Sequence, residues 1–238
     1  MKKKTAVKYF DREWKGMKSC LKSYLKIGEQ EDLHKFRVQV KKLQALLILS
    51  DQTSHHAKLV PCFKPVKKVF KQAGELRNVY IAGELTQRRQ PADKAAQSFR
   101  LLVDKHLKDI KKVRHELKTK LKSIRNKQIR LFYESQLRQI ARDLAAQPSA
   151  EYLHTCRKRI KVLLYNYQAV RTVVAISLDT AYLNQVQETI GRWHDQILSV
   201  GLPDNDAAII GQLEEQQCLL KAAIEALTNN FYLRATGH

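Results

Sequence analysis

Apolar residues recur at intervals of three and four along most of the chain, the spacing of helices that each bury one face. Leu33, Phe36, Val40, Leu43 and Leu47 form one such stripe, and Leu153, Cys156, Ile160, Leu163 and Tyr167 form another. Strict alternation bounded by Gly-rich turns, the mark of strands, is missing, so the pattern predicts an all-α protein. The expected helices lie near residues 7–27, 31–50, 58–74, 92–147 (broken near Asn126), 150–177, 180–200 and 205–229. Pro91, Pro148 and Pro203 each introduce a new amphipathic run, and Pro61 and Pro65 flank the start of another.

The two stripes overlay position by position at an offset of 120 residues. Each is accompanied by the same three cationic or titratable residues: His34, Arg37 and Lys41 in the first, His154, Arg157 and Lys161 in the second. At i, i+3 and i+7 these side chains fall within an arc of roughly 60° on a helix. That arc lies beside the apolar stripe, so each helix can bury one face while aiming three donors along its rim. The repetition continues further on, where Ala73-Gly74-Glu75-Leu76-Arg77-Asn78 returns as Ile190-Gly191-Arg192-Trp193-His194-Asp195 at an offset of 117. An internal repeat of this size predicts a duplicated bundle with a pseudo-twofold, equivalent faces meeting at the axis. The expected organisation is one domain over 1–238, with repeats at about 7–125 and 126–230.

Charge sharpens the expectation about partners. The chain of 238 residues holds 44 Lys and Arg against 23 Asp and Glu, a formal net charge of +21. This excess exceeds what solubility needs and points to a polyanion: nucleic acid, an inorganic phosphate polymer or an acidic membrane surface. It is also uneven. Asp51 is the one acid between Leu33 and Gly74, and none occurs between Tyr152 and Leu178, whereas 204–225 holds five acids and only Lys221. The four cysteines, Cys20, Cys62, Cys156 and Cys218, form no CxxC pair and read as reduced, buried thiols of a cytoplasmic protein. The basic N-terminus is interrupted by Lys8, Asp11, Arg12 and Glu13, which argues against an export signal. No stretch has the apolar length that spans a bilayer, so no membrane partner is expected.

The duplicated His-x-x-Arg-x-x-x-Lys helix, followed by Gly-x-x-Arg-Asn or Gly-x-x-His-Asp, resembles the conserved histidine α-helical domain, the CHAD family, over about residues 7–230. The family pattern after the histidine stands here as His34, Phe36, Arg37, Val38, Lys41, Lys42 and Leu43, and again as His154, Cys156, Arg157, Lys158, Lys161 and Val162. The resemblance implies two antiparallel four-helix-bundle halves about a pseudo-dyad, enclosing a basic pore or groove that binds inorganic polyphosphate without catalysis. It implies His34, Arg37, Lys41, Lys42, His154, Arg157, Lys158 and Lys161 as ligand contacts, and a location in the cytoplasm or at polyphosphate granules. The sequence departs from the pattern where Lys replaces Arg at 41, 42 and 161, where Val162 removes a cation, and at Asn78 and His194. Lysine keeps the charge and loses the planar fork, a change that a flexible, repetitive polymer tolerates better than a small defined phosphate.

Four further residues are secondary candidates. Arg114 interrupts a middle stripe of Val103, Leu107, Ile110, Leu117, Leu121 and Ile124, so it must meet an acid or line a wet cavity; Lys118 follows it one turn on. Arg77 and His194 would back the site, with Asn78 or Asp195 capping a helix start. The histidines are expected to contact phosphate and to hold no metal, since their neighbours are cations and no carboxylate stands at ligand spacing. Those neighbours should depress the imidazole pKa in the free protein, and a bound polyanion should raise it. No Walker loop, nucleophile elbow or Glu-x-Glu-x-Lys strand is present, and no cofactor or catalytic residue is expected. Two other readings stand beside polyphosphate binding: a helical RNA- or DNA-binding protein, lacking the paired aromatics of a base-stacking platform, and a hydrolase or transferase acting on polyphosphate.

Overall fold

The computed structural model describes residues 1–53, 58–86, 90–146, 149–172, 177–200 and 207–237; the side chains of 82–86, 90–92, 198–200 and 207–210 are not described. Pro148 and Pro203 therefore lie outside the described residues. Among those residues the protein is helical, without a strand. The elements are α1 (Lys3–Ile27), α2 (Gln30–Thr53), α3 (Leu59–Cys62), α4 (Lys64–Thr86), α5 (Gln90–Lys120), α6 (Asn126–Ala145), α7 (Ala150–Val170), α8 (Thr180–Val200), α9 (Ala207–Thr228) and α10 (Phe231–Thr236). The chain divides into two compact units, Met1–Arg125 and Asn126–His238.

In the first unit α1 turns into α2 at Gly28. Its backbone lies in the left-handed region at φ 87°, and its N–H closes onto the Tyr24 carbonyl at 2.7 Å; a side chain at that φ would be strained. The α2 stripe is fully enclosed, with Leu33, Phe36, Val40, Leu43 and Leu47 buried against α1 and α4. Asp51 is spent on structure: its carboxylate accepts the N–H groups of Leu59 (2.6 Å) and Val60 (2.9 Å) and so caps α3. The N-terminus is tied to the connector after α5, with the Met1 ammonium on the Ile124 carbonyl (2.7 Å) and the Ile124 N–H on the Met1 carbonyl (3.0 Å).

In the second unit the α7 stripe is likewise buried at Leu153, Cys156, Ile160 and Leu163, with half-buried Tyr167 ending it. Tyr133 of α6 donates its hydroxyl to the Leu163 carbonyl (2.9 Å), which locks α6 onto α7. Asp179 accepts the N–H of Tyr182 (2.8 Å) at the start of α8.

Three expectations need correction. The helix expected to stop at Gly74 runs on to Thr86, so that Gly74 lies inside α4 as Gly191 lies inside α8, the latter within the helix expected over 180–200. Asn78 and Asp195 are therefore mid-helix residues, and neither caps a helix start. The middle stripe is shifted by one position at two places: His106 and Val113 are buried, while Leu107 is 41% exposed and Arg114 is exposed. Arg114 thus leaves no gap in the core; Val113 fills that turn. Finally, of the four cysteines only Cys156 is buried. Cys20 and Cys62 are half-buried and Cys218 is exposed. Burial pushes the Cys156 thiol up to about 11, and Asp143 adds to the shift, so it is inert as a nucleophile.

Candidate functional site

The two glycines that do not end their helices have another task. An ideal Cβ on Gly74 would stand 2.5 Å from an Nη of Arg37, and one on Gly191 would stand 2.5 Å from an Nη of Arg157. Each arginine lies directly on the backbone of the neighbouring helix, an approach open only to glycine. Arg37 donates to the Phe70 carbonyl at 3.0 Å, and Arg157 donates through Nε to the Gln187 carbonyl, also at 3.0 Å. In both units the accepting carbonyl lies four residues before the glycine. Arg37 additionally packs its guanidinium 4.6 Å from the Phe70 ring centre. One donor of each guanidinium is thereby fixed, and the remainder can meet a ligand.

Around Arg37 the first unit gathers cations. Burial, then the neighbouring Arg77, lowers the affinity of Arg37 for its proton. His34 is held below its ordinary value by burial first, then by Arg77, Lys41 and Arg37, with Glu31 opposing. His34, Arg37 and Lys41 of α2 and Arg77 of α4 thus form one cationic edge. Charge already under strain from burial and like neighbours is what an incoming anion relieves.

The second unit builds the corresponding edge differently. The rings of His154 and His194 lie 4.7 Å apart, bringing α7 and α8 together where the first unit has His34 and Arg77. Lys161 is half-buried, and its pKa is lowered by burial and by Arg157 but supported by Asp195 and Glu188. It lines a cleft of about 320 Å³ with Tyr165, Gln168, Thr180, Asn184 and Gln187. At the offset of 117, Glu188 stands where the first unit has Lys71, His194 where it has Arg77, and Asp195 where it has Asn78. A larger cavity of about 800 Å³ between α6, α9 and α10 offers Lys221 as its one cation and lies apart from both arginines.

The other candidates are placed elsewhere. Lys42 turns toward α1 and sits 3.6 Å from Glu13, a buried acid also held by Arg12 at 2.6 Å. Lys158 is exposed on α7. Arg114 and Lys118 of α5 both bind Asp11 of α1, at 3.0 and 2.7 Å, so Arg114 is engaged with an acid from an exposed position. Among the described residues no group of three or more His, Cys, Asp and Glu could hold a metal, and no helix is long and apolar enough to cross a membrane.

No family model, curated protein or solved structure matches this chain. The site therefore rests on its own geometry. Sequence reasoning missed the partners of the arginines: Gly74, Gly191, Phe70 and the buried Gln187. The signal was present, since a glycine follows each arginine at nearly the same separation, 37 residues in one unit and 34 in the other, but a glycine inside a helical pattern reads first as a stop.

Proposed function

We propose that this protein is a diverged relative of the conserved histidine α-helical family, a duplicated helical bundle that binds inorganic polyphosphate without chemistry. The observation that carries the reading is the same arginine laid on a glycine in each unit, amid Lys and His that leave its outward donors in a basic rim. Binding would consist of many charge-assisted hydrogen bonds from Arg37, Lys41, His34 and Arg77, and from Arg157, Lys161, His154 and His194, to successive phosphoryl oxygens. A polymer of sufficient length can engage both edges. The exposed aromatics that a base-stacking platform would pair are not part of either edge: Phe70 is covered by Arg37, and Tyr165 and Tyr167 beside Lys161 are half-buried, which favours a base-free polymer over single-stranded nucleic acid.

The test pairs two double variants. R37A/R157A should weaken polyphosphate binding far more than K35A/K221A, because a well-formed charge-assisted contact is worth roughly 1.5–3 kcal/mol. Both variants should keep helical circular dichroism. Equal losses would mean that a diffuse basic surface binds the polymer, and would favour the nucleic-acid reading.

A further inference from the structure

A second basic surface lies on helices that the arginine edges do not use. Lys4, Lys8, Lys15, Lys18, Lys22 and Lys26 of α1 are all exposed. They succeed one another at three, four or seven residues, which keeps them within an arc of about 80° along the whole helix. At 1.5 Å per residue the row is about 33 Å long. Among the described residues none of the six has an acid for a partner.

The one acid in the row is already taken. Asp11 falls between Lys8 and Lys15, and its carboxylate is gripped from α5 by Lys118 and Arg114. The hydrogen bond from Lys118 is the largest of the effects that keep its pKa low. The two helices run antiparallel, joined at Arg100 to the Leu25 carbonyl and at Asp11, with Met1 bonded to Ile124 just beyond their ends. Lys111, about two turns before Lys118 on α5, extends the same basic face, and Lys122 follows in the connector beyond α5; both are exposed. An anion lying on the α1 row is therefore reached by cations of both helices, as the Asp11 carboxylate is.

An ordinary solvated helix face mixes the two signs and gains from i, i+4 pairs of opposite charge. Here Lys4 and Lys8, Lys18 and Lys22, and Lys22 and Lys26 stand at i, i+4 with like charge, an arrangement that opposes the helix and that a bound anion reverses. The nature of the row narrows the occupant. It is straight, whereas a duplex backbone spirals away from a straight line. It is all lysine, a point charge that contacts phosphate without demanding orientation. The aromatics of α1 (Tyr9, Phe10, Trp14 and Tyr24) are all buried, so none offers its face to a base along the row.

We propose that the exposed face of α1, flanked by α5, is a second polyphosphate contact, an outer track that engages long chains and confers a preference for them. This shares its ligand with the function proposed above, but does not depend on the arginine edges for its own contacts. Where one polymer reaches both, the second contact adds affinity by effective concentration, which a short chain cannot exploit.

The experiment compares K8Q/K15Q/K18Q/K22Q with an equal-charge control, K64Q/K68Q/K94Q/K105Q, taken from exposed lysines off the row. Each is titrated with polyphosphate of several hundred units, with a chain of about ten units, and with single-stranded RNA and anionic vesicles. The row variant should lose about tenfold or more on the long chain and less than twofold on the short one, and the control less than threefold on either. Four lost contacts should also reduce the slope of log affinity against log salt by roughly 3. Equal losses in row and control variants would overturn the track, as would a row variant altered only toward RNA or only toward vesicles. If R37A/R157A leaves short-chain binding intact while the row variant loses long-chain binding, the arginine edges fail and the track stands. If the wild-type protein binds no polyphosphate, both fall.

Discussion

The two arginine edges share a framework and differ in the charge around it. In each, an arginine from the second helix of the motif lies on a glycine and donates to the carbonyl one turn earlier. Yet Met1–Arg125 holds 32 of the 44 Lys and Arg and 12 of the 23 Asp and Glu, leaving Asn126–His238 nearly balanced with 12 and 11. The imbalance reaches the site itself, where Lys71, Arg77 and Asn78 of one unit correspond to Glu188, His194 and Asp195 of the other. The backbone contact fixes where the guanidinium points. The surrounding residues decide how strongly, and at what pH, that point attracts an anion.

The glycines give the sharpest way to break this comparison. Gly74→Ala and Gly191→Ala place a methyl group where a guanidinium nitrogen now lies, and a flexible arginine end will move before the backbone does. Alanine favours a helix by roughly 0.5–1 kcal/mol over glycine, so folding should survive and thermal stability should change little. Polyphosphate affinity should fall about tenfold or more for Gly74→Ala and by less for Gly191→Ala, because the first edge is more cationic. A variant that unfolds, or one that keeps full affinity, would show that the glycine does not position the arginine for binding.

A smaller effect should follow from making the second edge resemble the first. Glu188→Lys with Asp195→Asn removes the acids that support Lys161 and adds a cation. Affinity measured by titration at low ionic strength should rise several-fold. It should return toward the wild-type value at high salt, since exposed charges are screened within about 10 Å at 0.1 M. No gain at low salt would mean that the second edge does not contact the polymer.

The fold was readable because helical periodicity is local. The stripes of α2 and α7 and the break near Asn126 follow from spacing alone. What could not be read was reach across helices. Lys42 and Lys41 are adjacent in sequence, and only packing against α1 shows that Lys42 meets Glu13. The shift from Leu107 to His106 as a core position has the same origin, since a wide apolar stripe admits two registers until a neighbouring helix selects one. Glycine was the most deceptive signal: propensity reads Gly74 as a helix end, and tertiary contact with Arg37 shows why it is tolerated inside one.

The least effect expected is the pH dependence, which separates the edges by type. His34 is held below its ordinary value of 6.5 in the free protein by burial and cations. The unfolded chain therefore takes up its proton first, and this residue's contribution to stability declines as pH falls from about 6.5 through the depressed value. A bound polyanion raises the imidazole pKa, so binding takes up protons and strengthens between about pH 8 and 6. His34→Gln should remove part of this gain, and His154→Gln a further part, each by about two- to threefold in titrations at the two pH values. The Arg and Lys contribution should remain. A pH profile unchanged in the double variant would separate the histidines from the ligand.

The central claim, that these edges select a base-free phosphate polymer, is tested most directly by one competition measurement. Labelled long-chain polyphosphate bound to the full chain is challenged at physiological salt with RNA of matched charge and with orthophosphate. Polyphosphate should be retained against a large excess of both, because orthophosphate engages few donors and RNA, with a sugar between successive phosphates, presents fewer charges per length of chain to the same donors. Displacement by RNA at equal charge, or by orthophosphate at comparable molar concentration, would contradict the account.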